Sequence, residues 1–155
     1  MKPNRLWLPM VGAILCVACI KGTLMHHFEH VDPEGWNRYD TLLFSLAPMP
    51  HQGRYDFTID IRYANDFPYE GIWVAAETRL RHPSVTRRDT LYLKTTDENG
   101  TPVGKGLNLL QHSMTLYTLH LQPGQEGTLR LYHLMRLETM PDIREIGLKI
   151  TETPN

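Results

Sequence analysis

Cysteine is nearly absent from this chain of 155 residues, which contains only Cys16 and Cys19. A disulfide framework of the kind that supports many small secreted domains is therefore not expected. The fold must be stabilised by an apolar core, and the composition allows one, since 41% of the residues are hydrophobic and 21% are charged. The length predicts a single domain that folds without disulfides.

Strong net charge and an assembled catalytic group are also missing from the sequence. The formal net charge is −1, and no basic stripe is interleaved with aromatic residues, so nucleic acid is not an expected partner. Asp56 and Asp60 would lie about 13 Å apart along a strand, too far for the paired carboxylates of a glycosidase. No Ser-His-Asp or Cys-His arrangement has local support. We therefore expect no enzymatic activity and no cofactor.

The N-terminus lacks an apolar run long enough to cross a membrane, but it has the pattern of a secretory signal. Lys2 and Arg5 precede a mostly apolar run at residues 6–18, which is shorter than the roughly 20 residues of a membrane span. The run ends with an alanine, and a small residue directly before a cysteine is typical of bacterial lipoprotein signals. We predict a signal peptide at residues 1–18 and lipidation of Cys19. An ordinary cleaved signal and a packed N-terminal helix are the alternatives.

The rest of the chain is predicted to consist of a tether and a domain. Residues 19–36 show no sustained hydrophobic period, which predicts a tether. Residues 37–152 contain seven strand-like segments separated by turn residues, which predicts an all-β, antiparallel β-sandwich of about seven to eight strands with a jelly-roll-like arrangement. The segments are residues 41–46, 54–63, 72–78, 89–95, 114–121, 128–137 and 145–151. Short helical turns are possible at residues 107–112 and 134–142.

The clearest strand pattern, at residues 54–63, is followed by the densest polar and aromatic loop. Its odd positions are apolar and its even positions polar, so one face is predicted to be buried and the other solvated. A rigid strand presents such a loop at the end of a sheet, where binding residues often lie. A glycine-rich turn later in the chain would allow close backbone approach. The candidate partner-binding residues are Arg62, Asn65, Asp66, Phe67, Tyr69, Glu70, Gly104, Lys105 and Gly106.

Histidines form a cluster only near the N-terminus. His26, His27, Glu29 and His30 are metal-ligand residue types, but they lie in the predicted tether, where nothing would hold the ligands in place. We expect these side chains to be solvated and no metal to bind. His133 alternates with apolar residues and is expected to be a hydrogen-bonded core or edge histidine.

A basic segment and a set of aromatic residues each have two interpretations. Residues 78–89 are predicted to be a solvated hairpin loop, with docking to lipid phosphates or to an acidic partner as the alternative. The basic side chains are Arg79, Arg81, His82, Arg87 and Arg88.

The aromatic residues either belong to the core or contact a sugar or protein, and Trp73 is expected to be core. They are Trp36, Phe67, Tyr69 and Trp73.

The order of several short motifs resembles the GldH gliding-motility lipoprotein family of the Bacteroidota. The strongest part is IRYANDFPYEGIWV, which starts at Ile61. The resemblance also includes WNRYDTLLF before it, the glycine motif at residues 100–106, and the final strand IGLKI. Two positions depart from the family pattern. Pro102 replaces an aromatic residue of the glycine motif, and Cys16 replaces the aliphatic residue usual three positions before the lipidated cysteine.

The resemblance implies an outer-membrane lipoprotein without known catalytic activity that works with the gliding and type IX secretion machinery. Its expected partners are the outer membrane, through the lipid anchor, and protein components of a membrane machinery. The lack of an acidic run after Cys19 favours a domain facing the periplasm. The alternative is a carbohydrate-binding β-sandwich lipoprotein of a glycan-uptake system, which coplanar exposed aromatic residues would support.

Overall fold

The computed structural model describes residues 22–153, and these residues form a β-sandwich. The strands are β1 (Thr23–His30), β2 (Trp36–Asn37), β3 (Leu42–Leu46), β4 (Gly53–Ala64), β5 (Gly71–Arg81), β6 (Val85–Lys94), β7 (Leu109–Leu121), β8 (Glu126–His133), β9 (Thr139–Met140) and β10 (Ile143–Thr153). The first sheet has the order β1-β10-β4-β7 and the second the order β3-β8-β5-β6, while β2 pairs only with β9. All strand pairs are antiparallel. This arrangement of two four-stranded sheets is a jelly roll and confirms the predicted fold.

The core lies between the two sheets, where alternate residues of the central strands point inward. Strand β4 contributes Phe57, Ile59 and Ile61, and each of these side chains is fully buried. Leu148 of β10 and Leu131 of β8 are buried in the same layer. Burying a side chain of this size contributes about 1.5–3 kcal/mol. Inward alternation on both sheets therefore supplies the apolar core that the composition allows.

The strand register defines two ends of the sandwich. Thr23 pairs with Thr151, which pairs with Asp56 near the start of β4. The end where β1 begins is called the entry end, and it also contains the connections at residues 47–52, 82–84 and 122–125. The opposite end, called the loop end, contains the connections at residues 65–70 and 95–108. Strand β4 has 12 residues, so the two ends are about 36 Å apart at a rise of about 3.3 Å per residue.

The predicted tether is wrong for most of its length. Residues 23–30 form β1, which pairs with β10 along the edge of the first sheet. Trp36, placed at the last tether position, is buried and donates a hydrogen bond from its ring nitrogen to the carbonyl of Asp40, at 3.0 Å. The folded body therefore begins at about residue 22, three residues after Cys19. Cys19 and the predicted signal peptide lie outside the described residues.

Other local predictions also need correction. Residues 107–112 and 134–142 contain no helical turn, because β7 already begins at residue 109 and the later segment contains β9. The basic segment is mainly strand, since β5 continues to residue 81 and β6 begins at residue 85. The outer face of β4 is not uniformly solvated, since Asp60 is completely buried. No helix in the described part of the chain is long and apolar enough to cross a membrane.

Candidate functional site

The two segments predicted to form a contact surface lie side by side at the loop end. Asn65 donates a hydrogen bond from its side-chain amide to the carbonyl of Leu107, at 2.8 Å. Thr95 donates from its hydroxyl to the carbonyl of Tyr69, at 2.6 Å, and from its backbone nitrogen to the carbonyl of Glu70, at 2.9 Å. These bonds connect the loop at residues 65–70 to the loop at residues 95–108.

Tyr63, near the end of β4, is hydrogen-bonded to the loop at residues 95–108. Its hydroxyl donates to the carbonyl of Thr95 at 2.8 Å and accepts a hydrogen bond from the backbone nitrogen of Gly104 at 3.1 Å. The side chain is buried, and burial raises the pKa of its phenol. Both hydrogen-bonding functions of the hydroxyl are therefore used to hold the loop at residues 95–108 onto the end of β4.

The glycines of the second loop are required by packing within the chain. A Cβ atom at Gly106, where φ is +157°, would lie 1.8 Å from the carbonyl oxygen of Leu109. A Cβ atom at Gly104 would lie 2.7 Å from the hydroxyl oxygen of Tyr63. The close backbone approach that these glycines permit is therefore to their own chain.

Phe67 and Tyr69 belong mainly to the interior. The ring of Phe67 lies 5.6 Å from that of Tyr63 and 5.5 Å from that of Tyr69, both in edge-to-face geometry. Phe67 is buried, and Tyr69 is partly buried against the core. These two candidates position the loop, and neither presents a free aromatic face to a partner.

The exposed part of the two loops is mostly polar, and its most exposed apolar side chain is that of Leu107. Leu107 is 91% exposed, and it is surrounded in sequence and space by exposed polar residues. We call this set the distal loop surface, and it consists of Asn65, Asp66, Glu70, Lys105 and Leu107. It contains five side chains able to reach a partner, and Leu107 is the one that the sequence patterns did not indicate.

Arg62 lies away from this surface, on the outer face of the first sheet. Its guanidinium forms an ion pair with Glu145 at 2.5 Å and donates to the side-chain oxygen of Gln111 at 2.8 Å. It also lies over the ring of Phe28, 3.8 Å from the ring centroid. Arg62 is therefore a structural residue that joins β4 to three neighbouring strands, and it is not grouped with the loop residues.

The histidines of the former tether bind carboxylates of the first sheet. His26 Nε2 lies 2.6 Å from Oδ2 of the buried Asp60, and His30 Nδ1 lies 3.1 Å from Oε1 of Glu145. Among residues 22–153, no group of three His, Cys, Asp or Glu side chains is placed to hold a metal ion. His26 remains 37% exposed, but it lies in a strand and not in a tether, and it is the hydrogen-bond partner of a fully buried carboxyl group.

The predicted role of His133 as a hydrogen-bonded core residue is confirmed. Its Nε2 lies 3.0 Å from the carbonyl oxygen of Trp36, and its Nδ1 accepts a hydrogen bond from the backbone nitrogen of Met135 at 3.3 Å. The ring therefore donates from Nε2 and accepts at Nδ1, which is the neutral form. Burial lowers the pKa of His133, consistent with that form.

The arginines of the basic segment are each close to a carboxylate. Arg79 and Arg88 pair with Glu77, while Arg81 pairs with Glu126. The hydrogen bond from Arg88 is the main cause that lowers the pKa of Glu77. Arg87 pairs with Asp89 and lies over the ring of Tyr117, 4.5 Å from the centroid. Much of the local positive charge is therefore balanced within the chain.

Trp73 is not a core residue, contrary to expectation. It is 49% exposed on the outer face of the second sheet, where its ring lies 5.1 Å from that of Tyr92 with a tilt of 45°. Tyr132 and Leu134 are also partly exposed. The strand alternation contained the signal for this position, because Ile72 and Val74 point inward and the residue between them must point outward.

These features define a two-sheet β-sandwich in which the two candidate loops lie together at the end far from the start of β1. The chain belongs to the GldH lipoprotein family, since the model of that family matches residues 23–150. This match confirms the resemblance seen in the sequence motifs. It also begins at the first residue of β1, so the segment taken for a tether is part of the family domain.

A curated relative supports the same family. The chain is 23% identical over 151 residues to a protein of Christiangramia forsetii described as a gliding motility lipoprotein GldH homolog, covering 92% of this chain and 91% of the relative. Among solved structures, a family 35 carbohydrate binding module from Clostridium thermocellum matches with a TM-score of 0.39 and 16% identity, over 72% of this chain and 71% of that chain. Eiger TNF from S. frugiperda matches with a TM-score of 0.28 and 12% identity, over 84% and 93%. No functional argument rests on these two structures.

Proposed function

We propose that this lipoprotein is a non-catalytic assembly subunit of a gliding-motility and secretion machinery, anchored in the outer membrane through Cys19 and facing the periplasm. It binds a protein partner through the distal loop surface. The family match supports the association with gliding motility. The periplasmic orientation follows from the absence of an acidic run after Cys19.

The observation that carries this proposal is the position of the distal loop surface relative to the chain's entry point. Thr23 begins β1 at the entry end, and Cys19 lies only four residues earlier. An anchor on Cys19 holds the entry end at the bilayer, so the distal loop surface projects about 36 Å away from it, at the rise of a β-strand. A protein that binds at this surface is held clear of the lipid headgroups.

The chemistry of the distal loop surface favours a protein partner over a sugar. Asp66, Glu70 and Lys105 supply charges of both signs around the apolar side chain of Leu107. An apolar anchor with a polar rim is the usual composition of a protein interface. In the loop at residues 65–70, the aromatic residue Phe67 is buried and Tyr69 is partly buried against the core, with Phe67 in edge-to-face contact with Tyr69.

Photo-cross-linking in intact outer membranes tests this proposal. A photoreactive phenylalanine analogue replaces Leu107, and the matched control places it at Val85, which is 39% exposed at the entry end. Mass spectrometry is expected to identify motility or secretion components with the Leu107 probe and not with the Val85 probe. The double variant Asp66→Lys and Lys105→Glu is expected to reduce this recovery. Equal recovery of the same proteins from both positions would contradict the proposed surface.

Carbohydrate binding is the second candidate, and the exposed Trp73 on the second sheet is the observation in its favour. Trp73 and Tyr92 are tilted by 45°, so they do not form the flat platform on which sugar rings usually stack. Binding of soluble glycans by the parent chain, with loss of that binding in Trp73→Ala, would favour this candidate. Cross-linking of glycan-uptake proteins to the probe at Leu107 would also favour the carbohydrate-binding candidate.

A further inference from the structure

An apolar cleft lies between the two sheets on the flank formed by β1 and β3. Its volume is about 440 Å³, which is within the range of sites that bind small apolar ligands. Apolar residues of β1, of β3 and of the connection after β3 line most of it: Leu24, Met25, Leu43, Pro48, Met49 and Pro50. Polar residues, including the ion pair of His27 with Glu29 at 3.1 Å, line the remainder.

The cleft exists because β1 and β3 are the edge strands of their sheets and leave the sandwich open on this side. Leu24 is 40% exposed and Leu43 is 53% exposed, so apolar side chains that would normally be covered face solvent. Exposed apolar surface of this kind usually marks a binding site.

An added β-strand is a poor occupant for this cleft. Strand β3 has only five residues, and Pro48 and Pro50 follow it closely. Proline has no backbone N–H to donate, and proline next to an edge strand is a common means of preventing strand addition. Strand addition along β3 is therefore disfavoured, and the apolar lining of the cleft suits an occupant recognised by apolar contact.

A lipid on Cys19 would place a hydrocarbon chain near the entry end of the sandwich. The carbonyl of Gly22 accepts a hydrogen bond from the backbone nitrogen of Glu152 at 3.0 Å, which fixes Gly22 at the entry end next to Leu24. Cys19 is three residues before Gly22, and three residues span at most about 11 Å. A lipid on Cys19 therefore begins within about 11 Å of Gly22, which is two residues before the cleft residue Leu24.

We propose that this cleft takes one acyl chain of the lipid on Cys19. The proposal rests on the proposed function, because it requires that Cys19 is lipidated. The apolar residues at the entry end contact the hydrocarbon, and the contact is noncovalent. This occupancy fixes the body on the membrane with its β1 and β3 flank next to the anchor, so that the distal loop surface is held at a constant orientation.

A photoreactive fatty acid tests the proposal on the complete, lipidated protein. Cells that produce the protein are supplied with palmitate carrying a diazirine near its methyl end, and their membranes are irradiated. Labelling of the cells' other lipoproteins serves as the control for uptake. Mass spectrometry of the purified protein is expected to show the Cys19 acyl chain cross-linked within the same chain, to residues such as Met25, Leu43 or Met49.

Two variants locate the cross-link. Leu43→Glu places a charge on the cleft wall and is expected to reduce the internal cross-link about tenfold, because a charge in an apolar site is unfavourable. Leu137→Glu, at a leucine that is 41% exposed and outside both the cleft and the distal loop surface, is the matched control and is expected to leave it unchanged. Leu24→Glu replaces Leu43→Glu if that variant does not accumulate.

The outcomes separate the two proposals. A labelled Cys19 whose acyl chains cross-link only to phospholipid would overturn the cleft proposal and leave the anchor intact. Cross-linking of the cleft only to phospholipid acyl chains would overturn it in the same way. An unlabelled Cys19 in cells whose other lipoproteins are labelled would remove the lipid anchor of the proposed function, and the cleft proposal with it.

Discussion

The outer faces of the two sheets both carry cross-strand ion pairs, but they differ in the large apolar side chains that they leave exposed. On the first sheet, polar side chains form pairs across strands, with His26 on β1 bonded to Asp60 on β4 and Arg62 paired with Glu145 of β10. On the second sheet, Trp73 and Tyr132 remain partly exposed. The first face is closed by its own side chains, whereas the second keeps large apolar groups in contact with solvent.

The difference teaches that an outward-facing position in a strand does not determine burial. Phe28 lies across Gly147, with its ring atoms 2.7–3.0 Å from where a Cβ atom would be placed on that glycine. The same ring lies under the guanidinium of Arg62. An edge strand therefore covers the centre of the first sheet through Phe28, whereas Trp73 on the outer face of the second sheet stays 49% exposed.

Among changes on the outer faces, breaking the pair of His26 with the buried Asp60 is expected to have the largest effect. His26→Ala leaves the fully buried Asp60 carboxylate without its partner, which is expected to lower the free energy of unfolding by about 3 kcal/mol. His27→Ala, at a more exposed neighbouring histidine, is the control. Urea denaturation measures both, and Asp60→Asn in the His26→Ala background is expected to recover part of the loss. Equal stability of the two histidine variants would show that the pair contributes little.

The packing of the Phe28 ring over the first sheet can be tested at Gly147. The substitution Gly147→Ala forces the Phe28 ring to move and is expected to cost about 1–3 kcal/mol of stability, the usual range for overpacking. In a Phe28→Ala background the same substitution is expected to cost much less, because the displaced ring is absent. A double-mutant cycle by chemical denaturation measures this coupling. Additive losses of stability would mean that the Phe28 ring is not the reason that position 147 requires glycine.

Acid is expected to act on the second sheet through His133. Burial lowers its folded-state pKa, so below about pH 6.5 the unfolded chain binds a proton that the folded chain does not. Stability is therefore expected to fall as the pH decreases, by up to about 1.4 kcal/mol for each pH unit. The pKa of His112 is also lowered by burial. Some dependence of stability on pH should therefore remain in the His133→Gln variant. Thermal denaturation between pH 7 and pH 5 compares the variant with the parent, and identical slopes would be contrary to this assignment.

The smallest effect on stability is expected for Trp73 on the second face. Trp73→Ala removes a ring that is 49% exposed, whereas Trp36→Ala removes a buried ring and is expected to cost about 3–5 kcal/mol. We expect Trp73→Ala to cost less than about 1 kcal/mol, as is usual for surface positions. Calorimetry of the two variants measures the difference. A large loss in Trp73→Ala would place its ring in a structural role.

Sequence patterns predicted the fold better than they predicted the first strand. Seven of the eight long strands follow from alternation and turn residues, but residues 23–30 place His27 and Glu29 on the inward-facing side of β1. That side faces the open flank of the sandwich, so burial did not require apolar residues there, and the alternation that identifies a strand is absent. The strand forms because β10 supplies the hydrogen bonds.

The candidate site was predicted in part. Turn residues and glycines indicated two loops, and the structure brings them together through Tyr63 and Thr95. Which of their side chains are available to a partner could not be predicted, because it depends on contacts between residues far apart in sequence. Phe67 packs into the aromatic cluster, while Leu107 projects from the surface.

The sequence by itself determined the all-β fold class, the family and the position of the loops, because local alternation and turn chemistry depend on neighbouring residues. Only the tertiary structure decided that residues 23–30 complete a sheet, that Asp60 is buried under His26, and that Trp73 is exposed. The physical reason is that burial and pairing are set by which strands meet across the sandwich. The same packing holds Gly22, three residues after Cys19, at the entry end near the apolar cleft.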